Sequence, residues 1–228
     1  MLSGIRAAII DLDGTMLDTA PDFLVAINRM REEFSLAPLA LERIKLFVGK
    51  GSENLIRRVL AVDFDAPQVE QHFDLALASY QRHYHAINGD HSSIYPGVRE
   101  GLRALQQKGL RLACVTNKPI AFARPLLEKT GLRPYFELVY GGDCLPQKKP
   151  HPLPLLQVCR DFVLQPQQVV AIGDSSNDAQ AARAAGCKVL NVPYGYNHGQ
   201  AIQEVDSDGI VDTLLDAAAL ISEDCCAS

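Results

Sequence analysis

Apolar residues fall in short runs separated by polar turns, and their spacing changes along the chain. Arg6 to Leu12, Leu110 to Val115, Phe136 to Tyr140, Val169 to Ile172 and Val189 to Val192 are largely apolar and of strand length. Such near-continuous runs suit strands buried on both faces of a parallel sheet. Between them, apolar positions recur at helical spacing. Val98, Leu102 and Leu105 form a stripe stopped by Gly109; Phe122, Leu126 and Leu127 form another, stopped near Gly131. Leu153 to Phe162 after Pro152, the alanine-rich Ala179 to Ala185 before Gly186, and Val211 to Leu220 complete the set. This alternation predicts an α/β fold: a doubly wound, mostly parallel, Rossmann-like sheet with right-handed crossovers.

Residues 17–92 break the alternation. Phe23, Ile27, Met30 and Phe34 recur at helical spacing, as do Leu55, Ile56, Val59 and Leu60, and then Val69, Phe73, Leu77 and Tyr80. No strand is expected there. Asp18-Thr19-Ala20-Pro21 predicts a helix start with Thr19 as its cap. A crossover needs only a dozen or so residues, so the block is expected to be an inserted helical cap domain over 17–92. The α/β core domain then comprises 1–16 and 93–228. The polar run Asn88 to Ser93 reads as a return linker that lets the cap shift against the core.

Chemistry collects where the predicted strands end. The first runs into Asp11-Leu12-Asp13-Gly14-Thr15, two carboxylates at i and i+2 that share a side if the backbone stays extended. Paired acids raise one another's proton affinity or attract a cation, and a magnesium ion or the phosphorus of a phosphate would each make use of them. Further strands lead into Thr116-Asn117-Lys118-Pro119, into the segment reaching Lys148-Lys149-Pro150, and into Gly173-Asp174-Ser175-Ser176-Asn177-Asp178. Ligands bind open parallel sheets outside the carboxyl ends of strands, where strand order reverses. Taken singly, each cluster also fits a turn or a helix cap.

Composition narrows the classes. The chain has 228 residues, a formal net charge of -5, 47% hydrophobic residues and no Trp, which suits a globular protein and argues against a broad nucleic-acid surface. No apolar run approaches the roughly 20 residues of a membrane span, and the N-terminus lacks the pattern of a secretory leader. A cytoplasmic monomer or homodimer without membrane partners is expected. The six cysteines, Cys114, Cys144, Cys159, Cys187, Cys225 and Cys226, lack zinc-site spacing, so reduced thiols are expected. Gly49-Lys50-Gly51-Ser52 is too short for a phosphate-binding P-loop, and neither the histidines nor Ser175 and Ser176 fall in a metal or nucleophile-elbow pattern.

The four strand-end clusters, in this order, resemble the motifs of the haloacid dehalogenase-like phosphohydrolases, and within them the phosphoglycolate phosphatases. The resemblance covers nearly the whole chain, including Tyr194-Gly195-Tyr196-Asn197. It implies a phosphate monoester hydrolase in which Asp11 is the nucleophile, Asp13 the general acid and base, and Thr116 and Lys149 phosphoryl-contacting catalytic groups. It also implies magnesium held by Asp11, Asp174 and the backbone carbonyl of Asp13, with Asp178 orienting the site around the metal. The amides of Leu12 and Asp13, together with Gly14, are expected to form a small anion nest. Thr116 is expected to add its hydroxyl and amide to the phosphate site, and Asn117 a further donor. Only the family pattern selects Lys149 over Lys148. Asp13 argues against carbon–halogen cleavage, since family members with that activity lack it and need no leaving-group proton. The cap loop Gly49-Lys50-Gly51, with Lys50 where these relatives more often carry Asn, and Arg57 on the next helix are candidate specificity residues. The expected substrate is a small phosphorylated metabolite, 2-phosphoglycolate or another sugar phosphate such as an amino-sugar 6-phosphate. A phosphomutase and a phosphate-binding module are the remaining alternatives.

Overall fold

Ala7–Ile10 (β1) is buried along its whole length because it is the centre of the sheet. The computed structural model describes residues 1–222; Cys225 and Cys226 lie outside them. Parallel strands Arg111–Val115 (β4) and Val169–Gly173 (β6) flank β1, and Ile9 sits in register with Ala113 on one side and Ala171 on the other. With Leu138–Tyr140 (β5), Lys188–Asn191 (β7) and Gly209–Ile210 (β8), the sheet runs β5-β4-β1-β6-β7-β8. The chain winds outward from β1 to β5 and then crosses back to β6, so strand order reverses at β1. Its carboxyl end opens on the crevice where ligands are expected.

Alternation along the strands sorts side chains onto two faces. Ala8, Ile10, Leu112, Cys114, Val170 and Ile172 pack on helices Val98–Gln107 (α5), Ile120–Lys129 (α6) and Leu214–Leu220 (α9). Ala7, Ile9, Ala113, Val115 and Ala171 pack on Leu153–Phe162 (α7) and Ser176–Ala185 (α8). Each large aliphatic side chain buried in this three-layer core gains roughly 1.5–3 kcal/mol, which is why the inward positions of the strands are apolar.

Helices Ala20–Glu33 (α1), Leu41–Lys45 (α2), Ser52–Leu60 (α3) and Ala66–Ile87 (α4) share a separate apolar cluster built on Ile27, Met30, Ile56, Val59 and Tyr80. Asp65 caps α4 with a reciprocal capping box to Gln68. Two corrections arise at its junction with the sheet. Leu17–Asp18 (β2) and Ser93–Ile94 (β3) form a two-residue antiparallel pair where no strand was expected, joining the two chain crossings side by side. Thr19 occupies the N-cap position of α1, but its hydroxyl makes no cap bond; it donates to Asp13 Oδ1 at 2.7 Å. No helix among the described residues is long and apolar enough to cross a membrane.

Candidate active site

The strand β1 ends one residue before the first acid. The N–H groups of Met16 and Leu17 both donate to the Leu12 carbonyl, closing a turn in which Gly14 takes a φ of +84°. The chain bends at Leu12, so the condition of an extended backbone through Asp13 is not met. The turn nevertheless turns both carboxylates to one cleft, which Asp11 and Asp13 line together with Thr116 and Asn117. A side chain at Gly14 has no room, since a Cβ there would lie 2.2 Å from Asp174 Oδ2.

Lys149 joins the acids from the loop after β5. Its ammonium, 4% exposed, lies 3.0 Å from Asp11 Oδ1 and 2.6 Å from Asp178 Oδ1, and donates to the Val115 carbonyl at 2.7 Å. The two adjacent lysines are thus distinct: Lys148 reaches the cap loop at Gly51, and Lys149 is in the site. Asp178 accepts the Lys149 proton on one oxygen and the N–H and hydroxyl of Ser175 on the other. Both of its oxygens are thereby engaged, as suits a residue that holds Lys149 in place.

Asp174 is fixed from two sides, by the Thr15 hydroxyl at 2.9 Å and the Tyr196 N–H at 2.5 Å. Ligand oxygens of Asp11, Asp174 and Asp178 lie within 4.8 Å of one another. Burial, then repulsion from Asp178, pushes the Asp174 carboxyl up to about 7. Burial likewise raises Asp11, opposed by Lys149 and reinforced by Asp178 and Asp174. A cluster of hard oxygens whose ionisation is resisted in the bare protein fits a divalent cation such as magnesium, with Asp11 and Asp174 as the carboxylates not fully claimed by Lys149.

This fit has a pH signature. An acid raised in the fold favours the folded state while protonated in it, and that stabilisation is lost as pH rises from the unfolded value toward about 7. Bare protein is expected to lose stability across this window, and magnesium, which binds the ionised form, to restore it. Melting curves with and without 10 mM magnesium are expected to differ more at pH 8 than at pH 5; equal shifts at both would count against a carboxylate-held metal.

The phosphate-facing donors differ from the expectation. The Leu12 N–H donates to Asp11 Oδ1, 2.7 Å away, so this amide does face the Asp11 carboxylate. Gly14 N–H is spent on the Leu17 carbonyl and Thr116 N–H on Tyr140 of the adjacent strand, so neither amide is open to an anion. Thr116 offers its hydroxyl alone. The Asn117 side-chain amide is also committed: it donates to the Gly49 carbonyl at 3.0 Å and the Lys149 carbonyl at 2.8 Å. It ties the cap loop to the Lys149 backbone instead of serving as a free donor.

Of the cap candidates, Gly49 and Gly51 line the cleft. Lys50 is exposed and outside its lining. Arg57 also lies outside; it pairs with Glu70 at 2.9 Å and stacks on the Phe73 ring.

Lys118 was not singled out from sequence. Its buried ammonium sits 2.9 Å from Asp13 Oδ1 and 3.3 Å from Oδ2. It also lies 4.5 and 4.6 Å from the ring centres of Phe23 and Tyr84. Thr15 and Tyr196, which the sequence pattern marks only as members of longer motifs, each grip Asp174. Tyr196 also places its hydroxyl on Asp18 and accepts the Ala20 N–H at 3.0 Å, linking the Asp174 loop to the start of α1.

A family model for haloacid dehalogenase-like hydrolases matches residues 8–192. Phosphoglycolate phosphatase of Nitrosospira multiformis is 50% identical over 219 residues, 96% of each chain. The phosphoglycolate phosphatase of Thiobacillus denitrificans is 48% identical with the same coverage. The crystal structure of a predicted phosphoglycolate phosphatase from Haemophilus somnus superposes with a TM-score of 0.90 at 32% identity, covering 96% of this chain and 99% of that one. A match over most of the sequence, with these acids at the reversal point of the sheet, places this chain in the haloacid dehalogenase-like hydrolases.

Proposed function

We propose that this hydrolase cleaves small phosphate monoesters, 2-phosphoglycolate foremost, through a phosphoaspartate on Asp11, with residues 17–92 as a cap over a core of 1–16 and 93–228. The observation that carries the reading is the convergence of Asp11, Asp13, Thr116, Lys149 and Asp174, from four separate loops, around the end of β1. The phosphoglycolate phosphatases at 48–50% identity support the substrate.

Asp11 attacks phosphorus, forming a new phosphorus–oxygen bond as the ester bond breaks. Asp13 gives its proton to the departing alkoxide, then takes one from the water that hydrolyses the phosphoaspartate. Thr19, at the junction of core and cap, holds Asp13 through its hydroxyl. Lys149 offsets charge on the transferring phosphoryl oxygens while remaining paired to Asp178, which keeps it from collapsing onto Asp11 alone. Asp11, Asp174 and the Asp13 carbonyl would hold magnesium, which would supply positive charge to offset repulsion between the nucleophile and the phosphate dianion. Phe23, Tyr80, Tyr84 and Phe122 wall the cleft. These rings take up much of the cleft, which favours a small ester.

Phosphate release should be followed with magnesium over a panel of 2-phosphoglycolate, sugar phosphates, amino-sugar phosphates and nucleotides. Highest kcat/KM on 2-phosphoglycolate is expected, and a preference for a sugar phosphate would replace the substrate assignment. Asp13→Asn is expected to lower turnover of 2-phosphoglycolate by about 10²–10³-fold. With p-nitrophenyl phosphate, whose leaving group departs without a proton, the loss should be less than tenfold. Equal losses on both would remove Asp13 from the acid role.

A further inference from the structure

Every substrate of the proposed activity carries a phosphate, so the phosphate site cannot by itself tell one ester from another. Discrimination has to come from what meets the rest of the molecule. Among the residues lining the cleft, Lys118 is the one cation. The other basic candidates are placed elsewhere or committed: Lys50 is exposed, Lys148 lies against the cap loop at Gly51 outside the lining, Arg57 is bound to Glu70, and Lys149 is held between Asp11 and Asp178.

We propose that Lys118 is a specificity-determining residue that binds the carboxylate of a small 2-(phosphooxy)carboxylate substrate, beside the ester oxygen served by Asp13. This deepens the proposed function and rests on it. Three observations point the same way. First, the Lys118 side chain is 3% exposed, and its acceptors among the described residues are the two oxygens of Asp13. An ammonium has three protons, so at least one lacks an acceptor, which is costly for a charge this deeply buried. Second, the remaining surroundings are the faces of Phe23 and Tyr84, which stabilise a cation without supplying a counter-anion. Third, Tyr84 also lines the cleft, and its buried hydroxyl has no hydrogen-bond partner among the described residues. A carboxylate entering beside Lys118 offers acceptors to both groups.

The distances suit the molecule. Asp13 must touch the ester oxygen to protonate it, and Lys118 Nζ lies 2.9 Å from Asp13 Oδ1. In phosphoglycolate the carboxylate carbon is two bonds beyond that same oxygen. A cation adjacent to the proton donor is therefore where the second anionic group falls. A longer acid would carry its carboxylate past Lys118, and a neutral alcohol would leave the ammonium unanswered.

The test compares 2-phosphoglycolate with its neutral amide, 2-phosphoglycolamide, in wild type and in Lys118→Met and Lys118→Gln. Inhibition by the non-cleavable pair 3-phosphonopropionate and 3-phosphonopropionamide reads binding separately from turnover. Wild type is expected to favour each acid over its amide by about 10²-fold, since a site built for a charged group leaves its own charge unpaired with the analogue. In either variant both ratios should fall to within threefold of unity, mainly through loss on the acid and in KM more than kcat. Gln supplies the measurement if Met fails to fold. If the ratios persist in the variants, or acid and amide lose activity equally, the assignment is overturned while phosphoglycolate hydrolysis by the wild type still stands. If the wild type does not hydrolyse 2-phosphoglycolate, the functional reading itself fails.

Discussion

Asp11→Asn is expected to lower kcat on 2-phosphoglycolate by at least about 10⁴-fold, because the bond to phosphorus is made by the oxygen that the substitution takes out of play. The fold should survive. Asn retains an oxygen to accept the Leu12 N–H, and Lys149 keeps Asp178 and the Val115 carbonyl as partners. Burial raises the Asp11 carboxyl, so its ionised form is a net cost in the metal-free protein. At pH 8 without magnesium the variant should therefore melt at or slightly above the wild-type temperature, and the increment that magnesium gives the wild type should shrink. Acid-quench trapping of labelled phosphoenzyme adds a direct readout, with label expected on the wild type and none on the variant. Turnover within tenfold of wild type in purified Asp11→Asn would remove this residue from the nucleophile position and with it the mechanism.

How much of this was legible in the sequence depends on whether neighbours in the chain are also neighbours in space. The sheet was readable because runs such as Ala7 to Ile10 are buried on both faces and carry no ambiguity of phase. The β2–β3 pair was not, because two residues have no period and the partners lie at opposite ends of the helical block. Asp11 and Asp13 were visible as acids leading into a turn, but the hydrogen bonds that close it were not. The Leu12 carbonyl that collects the Met16 and Leu17 amides is backbone, which a side-chain pattern does not encode.

The same distinction runs through the site. Asp174 ends its own strand and could be found there, whereas the Thr15 hydroxyl that holds it comes from 159 positions away. Lys148 and Lys149 are equivalent by composition, and burial of one beside Asp178 separates them. Lys118 stood in plain view within Thr116-Asn117-Lys118-Pro119 and carried no signal. What makes it notable is a pair of aromatic rings, Phe23 of α1 and Tyr84 of α4, set against its ammonium. Arg57 is a candidate only by its place on the helix after the cap loop, and on α3 its side chain aligns with Glu70 of α4.

Lys149→Met is expected to damage stability and activity together, and the two can be separated. The ammonium is buried and answers three acceptors: Asp11, Asp178 and the carbonyl of Val115. Removing one member of a buried ionic cluster leaves the others uncompensated, typically at about 3–5 kcal/mol. In a domain of this size each kcal/mol moves the melting temperature by about 2–4 °C, so a fall of roughly 6–20 °C is expected at pH 8 without magnesium. If unpaired negative charge is the cause, adding Asp178→Asn to Lys149→Met should recover part of that loss, because one stranded carboxylate becomes neutral while its Ser175 contacts can be kept. Activity should not follow. The double variant still lacks the cation beside the transferring phosphoryl group, and kcat should stay down by about 10³-fold. Recovery of stability without activity would assign Lys149 both roles. If Asp178→Asn instead lowers the melting temperature of Lys149→Met further, the lysine's contribution is packing of its aliphatic stem, and charge balance is not what holds these loops together.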